Sequence, residues 1–453
     1  MRVAYFSPLN PQRSGISDYS EELLPHLAAG GAEIDLFVDG FAPSNPSVAE
    51  RFRRFDYRRD PASLRGLATY DVALYHVGND HRYHAGLYEV ALAHPGVVVL
   101  HDFALQNFFL GLARERGSES LYLDELEACH GARARAQAEE TVRRGGTPAV
   151  AAAPLTFPLN CRVANAAEGL IVHSEWSRAR LASIAPAVPV AHINLPVVPD
   201  DDPPKGAAEA RGRRTVEIAS FGHITTEKGI ERALAALAAL GGDYDFRYTL
   251  VGQPEGLDVS ELVRSHGLAE RVAVTGFVTL EEFRARIRAT DIAINLRERT
   301  VGETSASVCR VMAAGVPVLV SNVGWFAELP DDAVVKIDAG DGADSQLRAF
   351  LARLIADEPL RRRIGERARR HALAEHAIER SAARYLDFLS ETVRLRQRRR
   401  LTRRVTSELS ALGVGAEDDA ILRRVATEVV RLTPGDEGGM RDKKKQNTEH
   451  RIQ

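Results

Sequence analysis

Residues 291–321, DIAINLRERTVGETSASVCRVMAAGVPVLVS, contain an apolar run, a polar loop, a helical pattern and a second apolar run. The helix is predicted to begin near Thr304 or Ser305 and to end at Gly315, with Pro317 just beyond it. Short apolar runs rich in Val, Ile and Leu are typical of strands that are buried on both faces. The stretch therefore predicts a strand, a crossover helix and a second strand parallel to the first.

The same alternation extends in both directions along the chain. Apolar runs such as RVAYFS, DVALYH and GVVVLH precede residue 200, and TVEIASFG, FRYTLVG and AVVKID follow it. Alternating strands and helices imply a mainly parallel sheet with helices on both faces. We expect an α/β protein with two doubly wound, Rossmann-like domains whose facing strand ends form a cleft. In the second domain the pattern predicts helices at 230–240, 260–266, 280–289 and 305–314.

Loss of apolar periodicity marks the domain boundaries. Residues 196–214, PVVPDDDPPKGAAEARGRR, are rich in Pro, Asp and Gly, which is typical of an interdomain linker. The helical pattern near 373–400 is too long to belong only to the second core, so we expect it to cross back to the first domain. The predicted organisation is a first domain at 1–198, a linker at 199–214, a second domain at 215–375, a returning helix at 376–400, and a helical and then disordered tail at 401–453.

Composition excludes several classes of protein. The 59 Lys and Arg residues against 62 Asp and Glu residues give a formal charge of −3, so no global basic field indicates nucleic acid. Cys129, Cys161 and Cys309 have neither the spacing of a zinc site nor the density of a disulfide scaffold, which favours a reducing compartment. The opening MRVAYFSP lacks the apolar core of a signal peptide, and we find no run of roughly 18 apolar residues for a membrane span. We expect a cytoplasmic protein.

An arginine run lies between the returning helix and the tail. Seven arginines occur from Arg394 to Arg404. Arginines on all sides of a helix form a solvated surface, which is the plainer interpretation. The alternative is a dock for anionic lipid or an acidic partner, which would hold the protein at the inner face of a membrane.

Two loops of the predicted second domain have features of an anion site. In FGHITTEKG, Gly222 lets the backbone turn after a strand, and Lys228 lies in or just before the first turn of the next helix. A lysine there opposes the helix dipole by up to about 1 kcal/mol, unless an anion binds at the same terminus. A solvated lysine is the alternative interpretation.

The second of these loops is RERTVGETS, which leads into the helix of the opening stretch. Ser305 and the small residues after it leave the first-turn amides open to a diphosphate, and Glu303 would accept hydrogen bonds from sugar or ribose hydroxyls. The alternative is an ordinary capped crossover, in which Glu303 only favours the helix dipole.

Polar residues also follow strands of the predicted first domain. The loop SPLNPQRSGISDYS has one glycine, Gly15, rather than the three of a dinucleotide fingerprint, which argues against a nicotinamide enzyme. In VVVLHDFALQNFF, His101 stands at a strand end facing the cleft, as a substrate contact or a structural residue, and Asp102 is in position to cap the following helix. The histidines of HVGNDHRYH match no strong metal-ligand spacing, so a polar acceptor pocket is favoured over a metal site.

Together these segments resemble glycosyltransferase family 4, the retaining sugar-nucleotide transferases of the GT-B fold. The resemblance covers about residues 1–400 and rests on RSGISDYS, LHDF, FGHITTEKG and MAAGVPVLVSNVG, and GETS…GWFAELP is similar to a bacterial subgroup. It implies transfer of a hexose from a nucleoside diphosphate sugar to a glycan, lipid or small-molecule acceptor. It also implies retention of anomeric configuration, with neither a metal nor a cofactor.

The resemblance assigns roles to particular residues. It implies catalytic roles for His101 and Glu303. It implies contact with the nucleotide sugar for Gly15, Gly222, Lys228, Glu303, Thr304 and Ser305, and we predict such a contact for Arg310 as a separate hypothesis.

Three positions depart from the family pattern, and one of them is Gly302, where a glutamate is usual and which Glu303 follows by one residue. A glutamate that binds ribose is usual where Arg310 stands, and arginine cannot accept a hydrogen bond. We expect Arg310 to be a phosphate-side or structural cation, within reach of the first-turn amides or of Glu303, and Glu303 to do the accepting. His223 stands where an arginine is usual, so that Arg310, Arg297 or Arg299 would supply a second cation beside Lys228.

Two other functions stay open at the level of sequence. Arg310 and His223 are compatible with a GT-B-like protein that binds a sugar nucleotide without catalysis. A GT-B epimerase or phosphorylase is the third candidate. Turnover distinguishes the transferase from the non-catalytic binder, and dependence on an acceptor distinguishes the transferase from the epimerase. The expected partners of the transferase are a nucleotide-sugar donor and a glycan or lipid-linked acceptor, without nucleic acid.

Overall fold

The structure is a computed structural model that describes residues 1–199, 215–414 and 418–432. Residues Met1–Leu386 form one compact unit, and the chain from Asp387 onward forms another. The first unit contains two parallel sheets, of seven and six strands, and so confirms the predicted α/β class with two doubly wound domains. The predicted linker, apart from residue 199, lies outside the described residues.

The first domain is built on the seven-stranded sheet. Its strands are Arg2–Phe6 (β1), Glu33–Val38 (β2), Arg53–Asp56 (β3), Val72–Val77 (β4), Val97–Leu100 (β5), Gly169–Val172 (β6) and Val190–His192 (β7). They pair in parallel in the order β3-β2-β1-β4-β5-β6-β7. The interior strands β5 and β6, VVVL and GLIV, are buried at every position, because helices cover both faces of a parallel sheet.

Helices of the first domain follow its strands. They are Gly15–Ala29 (α1), Pro46–Ala49 (α2), His81–Ala93 (α3), Gln106–Glu115 (α4), Ser120–Arg143 (α5), Cys161–Ala166 (α6) and Glu175–Ile184 (α7), with 3-10 turns at Pro61–Thr69 and Ala149–Ala152. Gly131 interrupts α5 with a positive φ of 79°.

Cys129 and Cys161 form a disulfide that joins α5 to α6. The sequence did not indicate this pair, because 32 residues separate the two cysteines and their spacing matches no known framework. The carboxylate of Glu125 lies beside the two sulfur atoms and is paired with Arg162 at 3.0 Å. Cys309 is a buried free cysteine.

The second domain is built on the six-stranded sheet. Its strands are Val216–Phe221 (β8), Phe246–Val251 (β9), Val272–Val274 (β10), Ile292–Asn295 (β11), Val318–Ser321 (β12) and Val335–Ile337 (β13), and they pair in parallel in the order β10-β9-β8-β11-β12-β13. The strand order reverses between β8 and β11. Loops at the carboxyl ends of these two neighbours therefore line the crevice where ligands bind in open α/β sheets.

Helices of the second domain agree with the predicted ones to within one residue at each end. The structure has Ile230–Leu240 (α8), Val259–Ser265 (α9), Leu280–Arg288 (α10) and Ala306–Ala313 (α11), followed by Ala343–Ala356 (α12) and Glu358–Glu375 (α13). Short 3-10 turns lie at Thr226–Lys228 and Gly324–Glu328. The prediction succeeded here because apolar residues recur at helical spacing between short strands.

The chain returns to the first domain after α13. The ring Nδ1 of His376 donates to the carbonyl of Leu195 at 2.7 Å, and Val197 forms an isolated bridge with Ala377. In the first turns of helix Ile378–Ala411 (α14), the Tyr385 hydroxyl lies 2.5 Å from that of Tyr19 on α1. The first and last segments of this unit are therefore joined directly.

The second unit contains the later part of α14 and the helix Asp419–Leu432 (α15). The arginine run at 394–404 lies within α14, and the side chains of four of its seven arginines are outside the described residues, as are residues 433–453 of the predicted disordered tail. Among the helices that the structure describes, none combines the length and apolar character of a membrane span.

Candidate active site

Glu303 lies in the loop between β11 and α11, and its carboxylate is already engaged. It accepts hydrogen bonds from Arg297 Nε at 2.5 Å, from the Thr300 hydroxyl at 2.8 Å and from the Val301 amide at 3.0 Å. Burial alone would raise the pKa of Glu303, but the Arg297 guanidinium beside it holds that pKa below its ordinary value. Glu303 is therefore an anion that anchors Arg297 and its own loop.

Arg297 is the buried cation of this loop. Its guanidinium donates to the side chain of Asn295 at 2.8 Å and to the carbonyl of Leu296 at 2.7 Å, and it lies 4.8 Å from the ring centre of Phe326. Burial of a guanidinium is tolerated only with such partners. Of the three arginines that the sequence suggested as a second cation, Arg297 is the one fixed against Glu303.

Lys228 lies near Arg297 and Glu303, on the 3-10 turn that follows β8. Its ammonium donates to the carbonyl of Phe221 at 3.3 Å, and a Cβ atom on Gly222, whose φ is +92°, would stand 2.8 Å from it. Burial and the nearby Arg297 lower the pKa of Lys228, whereas Glu303 and Glu255 raise it, and the result of these effects is a pKa of about 7. Gly222, Lys228, Arg297 and Glu303 thus form one cluster at the switch point of the second sheet.

The N-terminus of α11 faces the same crevice. The Ser305 hydroxyl caps the helix by accepting from the amide of Val308 at 3.3 Å, and it also lies 3.0 Å from the hydroxyl of Ser307. The Thr304 hydroxyl donates to the carbonyl of His173, in the first domain, at 3.3 Å. Thr304 and Ser305 are therefore at the crevice, and Thr304 already joins the two domains.

Arg310 lies one turn further along α11 and meets a partner that the sequence did not suggest. Its guanidinium donates to Glu22, on α1 of the first domain, at 2.7 Å, and Arg284 of α10 donates to the other oxygen of Glu22 at 2.8 Å. Burial opposes the charge, but Glu22 and Asp18 raise the pKa of Arg310 above its ordinary value. Arg310 is thus bound to Glu22, not to Glu303, which is occupied by Arg297.

In the first domain, Gly15 is the first residue of α1. A Cβ atom added to it would meet no described atom within 4 Å, so packing within the protein does not require glycine there. The adjacent Ser14 hydroxyl accepts from the amide of Ile16 and caps the helix. The open space beside Gly15 leaves room for close approach of a ligand.

His101 follows β5 and belongs to a group of buried histidines. His76 Nδ1 lies 3.0 Å from His101 Nε2, and the ring of His173 is 5.0 Å from that of His101. Tyr19 of α1 stands edge-on over His101 at 4.9 Å. Burial, with His173 and His76 as neighbours, holds the pKa of His101 well below its usual range. The ring is therefore neutral at physiological pH.

Asp102 does not cap α4, as the sequence had suggested. That helix begins after Leu105 without a side-chain cap, and the Asp102 carboxylate instead accepts from the amide of Asn79 at 2.7 Å. The prediction was wrong because a carboxylate four residues before the start of a helix can equally turn toward a neighbouring strand end. Burial raises the pKa of Asp102 to about 7, against the lowering effect of the Asn79 amide.

Further hydrogen bonds join the two domains. Glu328, on the 3-10 turn after β12, accepts from the amides of Glu175 at 3.0 Å and Trp176 at 2.5 Å, at the N-terminus of α7. The amide of Ala104 donates to the carbonyl of Val301 at 2.8 Å. The described molecule therefore has its two domains in direct contact around the loop that carries Glu303.

A family model matches part of the chain. Residues 208–371 match the model described as "Glycosyl transferases group 1". This part of the chain is similar to a group 1 glycosyltransferase domain. It includes Lys228, Arg297, Glu303 and Arg310, the second-domain residues described above.

A curated relative matches a shorter part of the chain. It is the 2-deoxystreptamine glucosyltransferase of Streptomyces kanamyceticus, 30% identical over 142 residues, which are 31% of this chain and 36% of the relative. The matched part thus spans little more than a third of that protein.

Solved structures match most of the chain. Sucrose-phosphate synthase from Thermosynechococcus elongatus superposes with a TM-score of 0.61 at 18% identity, covering 86% of this chain and 98% of its own. HepE from Anabaena, solved in complex with UDP and glucose, superposes with a TM-score of 0.57 at 17% identity, covering 86% and 99%. The chain has the GT-B fold, as the sequence resemblance implied.

Proposed function

We propose that this protein is a retaining glycosyltransferase that moves a hexose from a nucleoside diphosphate sugar to a hydroxyl of an acceptor, without a metal ion. The observation that carries the proposal is the pair of cations, Lys228 and Arg297, held together at the switch point of the second sheet beside the N-terminus of α11. Cations and the free amide groups of a helix N-terminus stabilise the negative charge of a diphosphate. The group 1 glycosyltransferase model over this region supports the same reaction class.

The proposed reaction needs little chemistry from side chains. The bond between the anomeric carbon and the phosphate oxygen breaks, and its electron pair leaves with the diphosphate. The acceptor oxygen bonds to the same face of the sugar, and its proton passes to the departing phosphate oxygen. Lys228 and Arg297 stabilise the charge that grows on the diphosphate, so neither a strong base nor a divalent cation is required.

In the proposed reaction Glu303 acts indirectly, by positioning Arg297 and the loop before α11. Its carboxylate holds Arg297 in place through the 2.5 Å hydrogen bond, and it keeps the loop before α11 ordered through Thr300 and Val301. Gly222 leaves space for the Lys228 ammonium, and Gly15 leaves space on the other side of the crevice. Thr304 and Ser305 set the position of the helix terminus.

The first domain would receive the acceptor and the sugar. His101 lies at the carboxyl end of β5, at the edge that faces the crevice, and its neighbours are neutral polar rings. The named relative acts on 2-deoxystreptamine, which makes a small hydroxylated acceptor the first candidate here, beside the glycan and lipid acceptors that the sequence suggested. HepE, bound to UDP and glucose, makes UDP-glucose the first donor to test.

Turnover with a panel of donors tests the proposal. UDP-glucose, GDP-mannose and ADP-glucose are each incubated with glycan and aminocyclitol acceptors, with and without EDTA, and the anomeric configuration of the product is read by NMR. We expect one donor to give acceptor-dependent transfer with retention that EDTA does not remove. Donor binding without turnover would instead identify a non-catalytic sugar-nucleotide binder, and turnover without an acceptor would indicate an epimerase.

A pair of lysine variants localises the activity. Lys228→Ala should remove most of the transfer, because it deletes a cation beside the diphosphate, while Lys336→Ala, on edge strand β13, should not. The two variants are matched in residue type. The ammonium of Lys336 is paired with Asp331 at 2.6 Å. Equal rates in the two variants at saturating donor would remove Lys228 from the site.

We also propose that the arginine run at 394–404 contacts anionic lipid. Its seven arginines over eleven helical positions support this, since each basic residue near an anionic surface contributes about 1 kcal/mol. Co-sedimentation with phosphatidylglycerol vesicles, with phosphatidylcholine vesicles as the control, tests it. Equal partition with both would leave the run as a solvated helix surface.

A further inference from the structure

Four histidines of the first domain converge at the carboxyl ends of β4, β5 and β6. His76 is the penultimate residue of β4, His101 follows β5, His173 follows β6, and His84 lies on α3. All four are buried, with His76 at 0% and His101 at 9% exposure. Burial lowers the pKa of each of them, so all four rings are neutral at physiological pH. For a neutral imidazole, the ring nitrogen that carries the hydrogen decides what the side chain can do.

Backbone carbonyls fix two of the four rings. His84 Nδ1 lies 3.0 Å from the carbonyl of His76, and His173 Nδ1 lies 2.8 Å from the carbonyl of Ile193. A carbonyl oxygen only accepts, so the hydrogen of each ring must be on Nδ1. Their Nε2 atoms are bare acceptors.

His76 and His101 share a hydrogen bond whose direction the surroundings decide. His76 Nδ1 and His101 Nε2 are 3.0 Å apart, and one of them must carry the hydrogen. His76 Nε2 is fully enclosed and has no hydrogen-bond partner among the described residues. If His101 donated, His76 would carry its own hydrogen on that enclosed Nε2, as a buried N–H without an acceptor. A buried, unpaired N–H is rarer in proteins than an under-used acceptor.

His76 is therefore the donor, and this determines the state of His101. With Nε2 of His101 accepting from His76, the hydrogen of His101 is on Nδ1. That nitrogen forms no hydrogen bond with the described residues and is not among their fully enclosed polar atoms, so it is free to donate to a bound molecule. The ring of His101 is held in place by Tyr19, edge-on at 4.9 Å, and by His173 at 5.0 Å.

We propose that His76 is a positioning residue that holds His101 as its Nδ1–H tautomer, so that His101 enters the site as a hydrogen-bond donor to a substrate oxygen and not as a proton-accepting base. The substrate part of this inference rests on the proposed transferase function, whereas the tautomer does not. The oxygen is a sugar hydroxyl or a phosphate oxygen, both of which accept from an N–H. Such a role agrees with a reaction in which the departing phosphate takes the acceptor proton.

Nitrogen-15 NMR of the histidine rings tests the assignment directly. In protein labelled with ¹⁵N-histidine, long-range proton–nitrogen spectra distinguish a protonated ring nitrogen from a bare one, and comparison with His101→Asn identifies the signals of His101. We expect a protonated Nδ1 and a bare Nε2 in the unmodified protein. A protonated Nε2 with a bare Nδ1 would overturn the inference, whether or not the protein has transferase activity.

Two variants of His76 test its part in this arrangement. His76→Asn keeps an amide N–H near the former Nδ1, while His76→Phe keeps the ring shape and removes the donor. We expect His101 to remain Nδ1–H in His76→Asn and to become a mixture of tautomers in His76→Phe. Transfer should fall about tenfold more in His76→Phe than in His76→Asn, the effect of one lost hydrogen bond. An unchanged His101 spectrum in folded His76→Phe would show that His76 does not set the tautomer.

Ligand titrations distinguish the two kinds of oxygen. A change in the Nδ1–H signal of His101 on adding UDP alone would identify a phosphate oxygen, and a change only with UDP-glucose would identify a sugar hydroxyl. If His76→Phe fails to fold, the spectrum of the unmodified protein and that of His76→Asn still decide the tautomer. No change of the His101 signal with a donor that binds and turns over would overturn its role as a substrate contact.

Discussion

At the scale of single residues, the buried cation on α11 is matched by a carboxylate 288 positions away in the sequence. Arg310 and Glu22 are only 11% and 12% exposed, and Arg284 completes the group from α10. A guanidinium buried to this extent needs a partner, since removal of one member leaves the other charge desolvated. The pair therefore joins the two domains as well as neutralising both charges.

Removal of Arg310 should destabilise the protein. We expect Arg310→Met to lower the free energy of unfolding by about 3 kcal/mol, because Glu22 keeps only Arg284 as a partner. Part of this loss should return in the double variant with Glu22→Gln, measured by urea denaturation as a double-mutant cycle. Arg286→Met, on the exposed pair with Glu282 of α10, is the matched control and should cost less than about 0.5 kcal/mol. Equal effects of the two single variants would contradict the structural role of Arg310.

The pKa of Lys228 gives a prediction about proton uptake. At pH 8 this lysine is largely neutral, because its pKa in the ligand-free protein is about 7. A bound diphosphate favours the charged form and raises the pKa, so binding of UDP at pH 8 should take up nearly one proton. Calorimetry in two buffers of different ionisation enthalpy measures this number.

Lys228→Arg is the control for the proton measurement. Arginine stays charged at pH 8, so UDP should bind with little proton uptake. The same uptake in both proteins would assign the proton to another group and would leave Lys228 outside the diphosphate site.

At the scale of elements, the loop from β11 to α11 depends on one glycine. Gly302 has a φ of +76°, and a Cβ atom on it would lie 2.5 Å from the Phe103 side chain and 2.8 Å from that of Trp176. Both rings belong to the first domain, so the loop with Glu303 is held against that domain by close packing around a residue without a side chain.

Replacement of Gly302 should therefore affect stability and the site together. We expect Gly302→Ala to cost about 3 kcal/mol in unfolding free energy, from backbone strain plus crowding, and to weaken UDP binding by displacing Glu303. Gly267→Ala is the control, since Gly267 has a similar φ of +68° with no atom within 4 Å of the added Cβ. It should cost only about 1 kcal/mol, from the backbone alone. Equal costs would show that Phe103 and Trp176 move aside without penalty.

The sequence predicted elements better than it predicted contacts. Helices α8 to α11 follow from apolar spacing and from residues such as Gly315, which are local signals. Glu22 could not be found as the partner of Arg310, because nothing local marks an exposed-looking glutamate of α1 as buried against another domain. Arg297 was one of three candidates for a second cation, and only the fold shows that it is bonded to Glu303. The sequence did not show that the Nδ1 atom of His76 is bonded to His101 and that of His84 to a backbone carbonyl, because these contacts depend on the fold.

At the scale of the whole molecule, every residue of the candidate site belongs to the unit Met1–Leu386. The arginine run and α15 belong to the other unit. Stability of a compact domain comes mainly from its own core, so the site should not depend on the tail.

Truncation after Arg400 tests this division. We expect the shortened protein to retain its rate of transfer to a soluble acceptor and its melting temperature to within a few degrees. Binding to phosphatidylglycerol vesicles should fall, because part of the arginine run and the helix α15 are removed. A folded and soluble truncation without transfer would make the tail a part of the catalytic unit.

The contact of Glu328 with the start of α7 has a consequence for following the motion of the two domains. The amide hydrogens of Glu175 and Trp176 are bonded to a carboxylate that belongs to the other domain, at 3.0 and 2.5 Å. When the domains separate, this carboxylate leaves and both amides meet solvent, while the rest of α7 keeps its internal hydrogen bonds. The rate at which these two positions take up deuterium from heavy water therefore reports how often this contact between the domains breaks, without any added label.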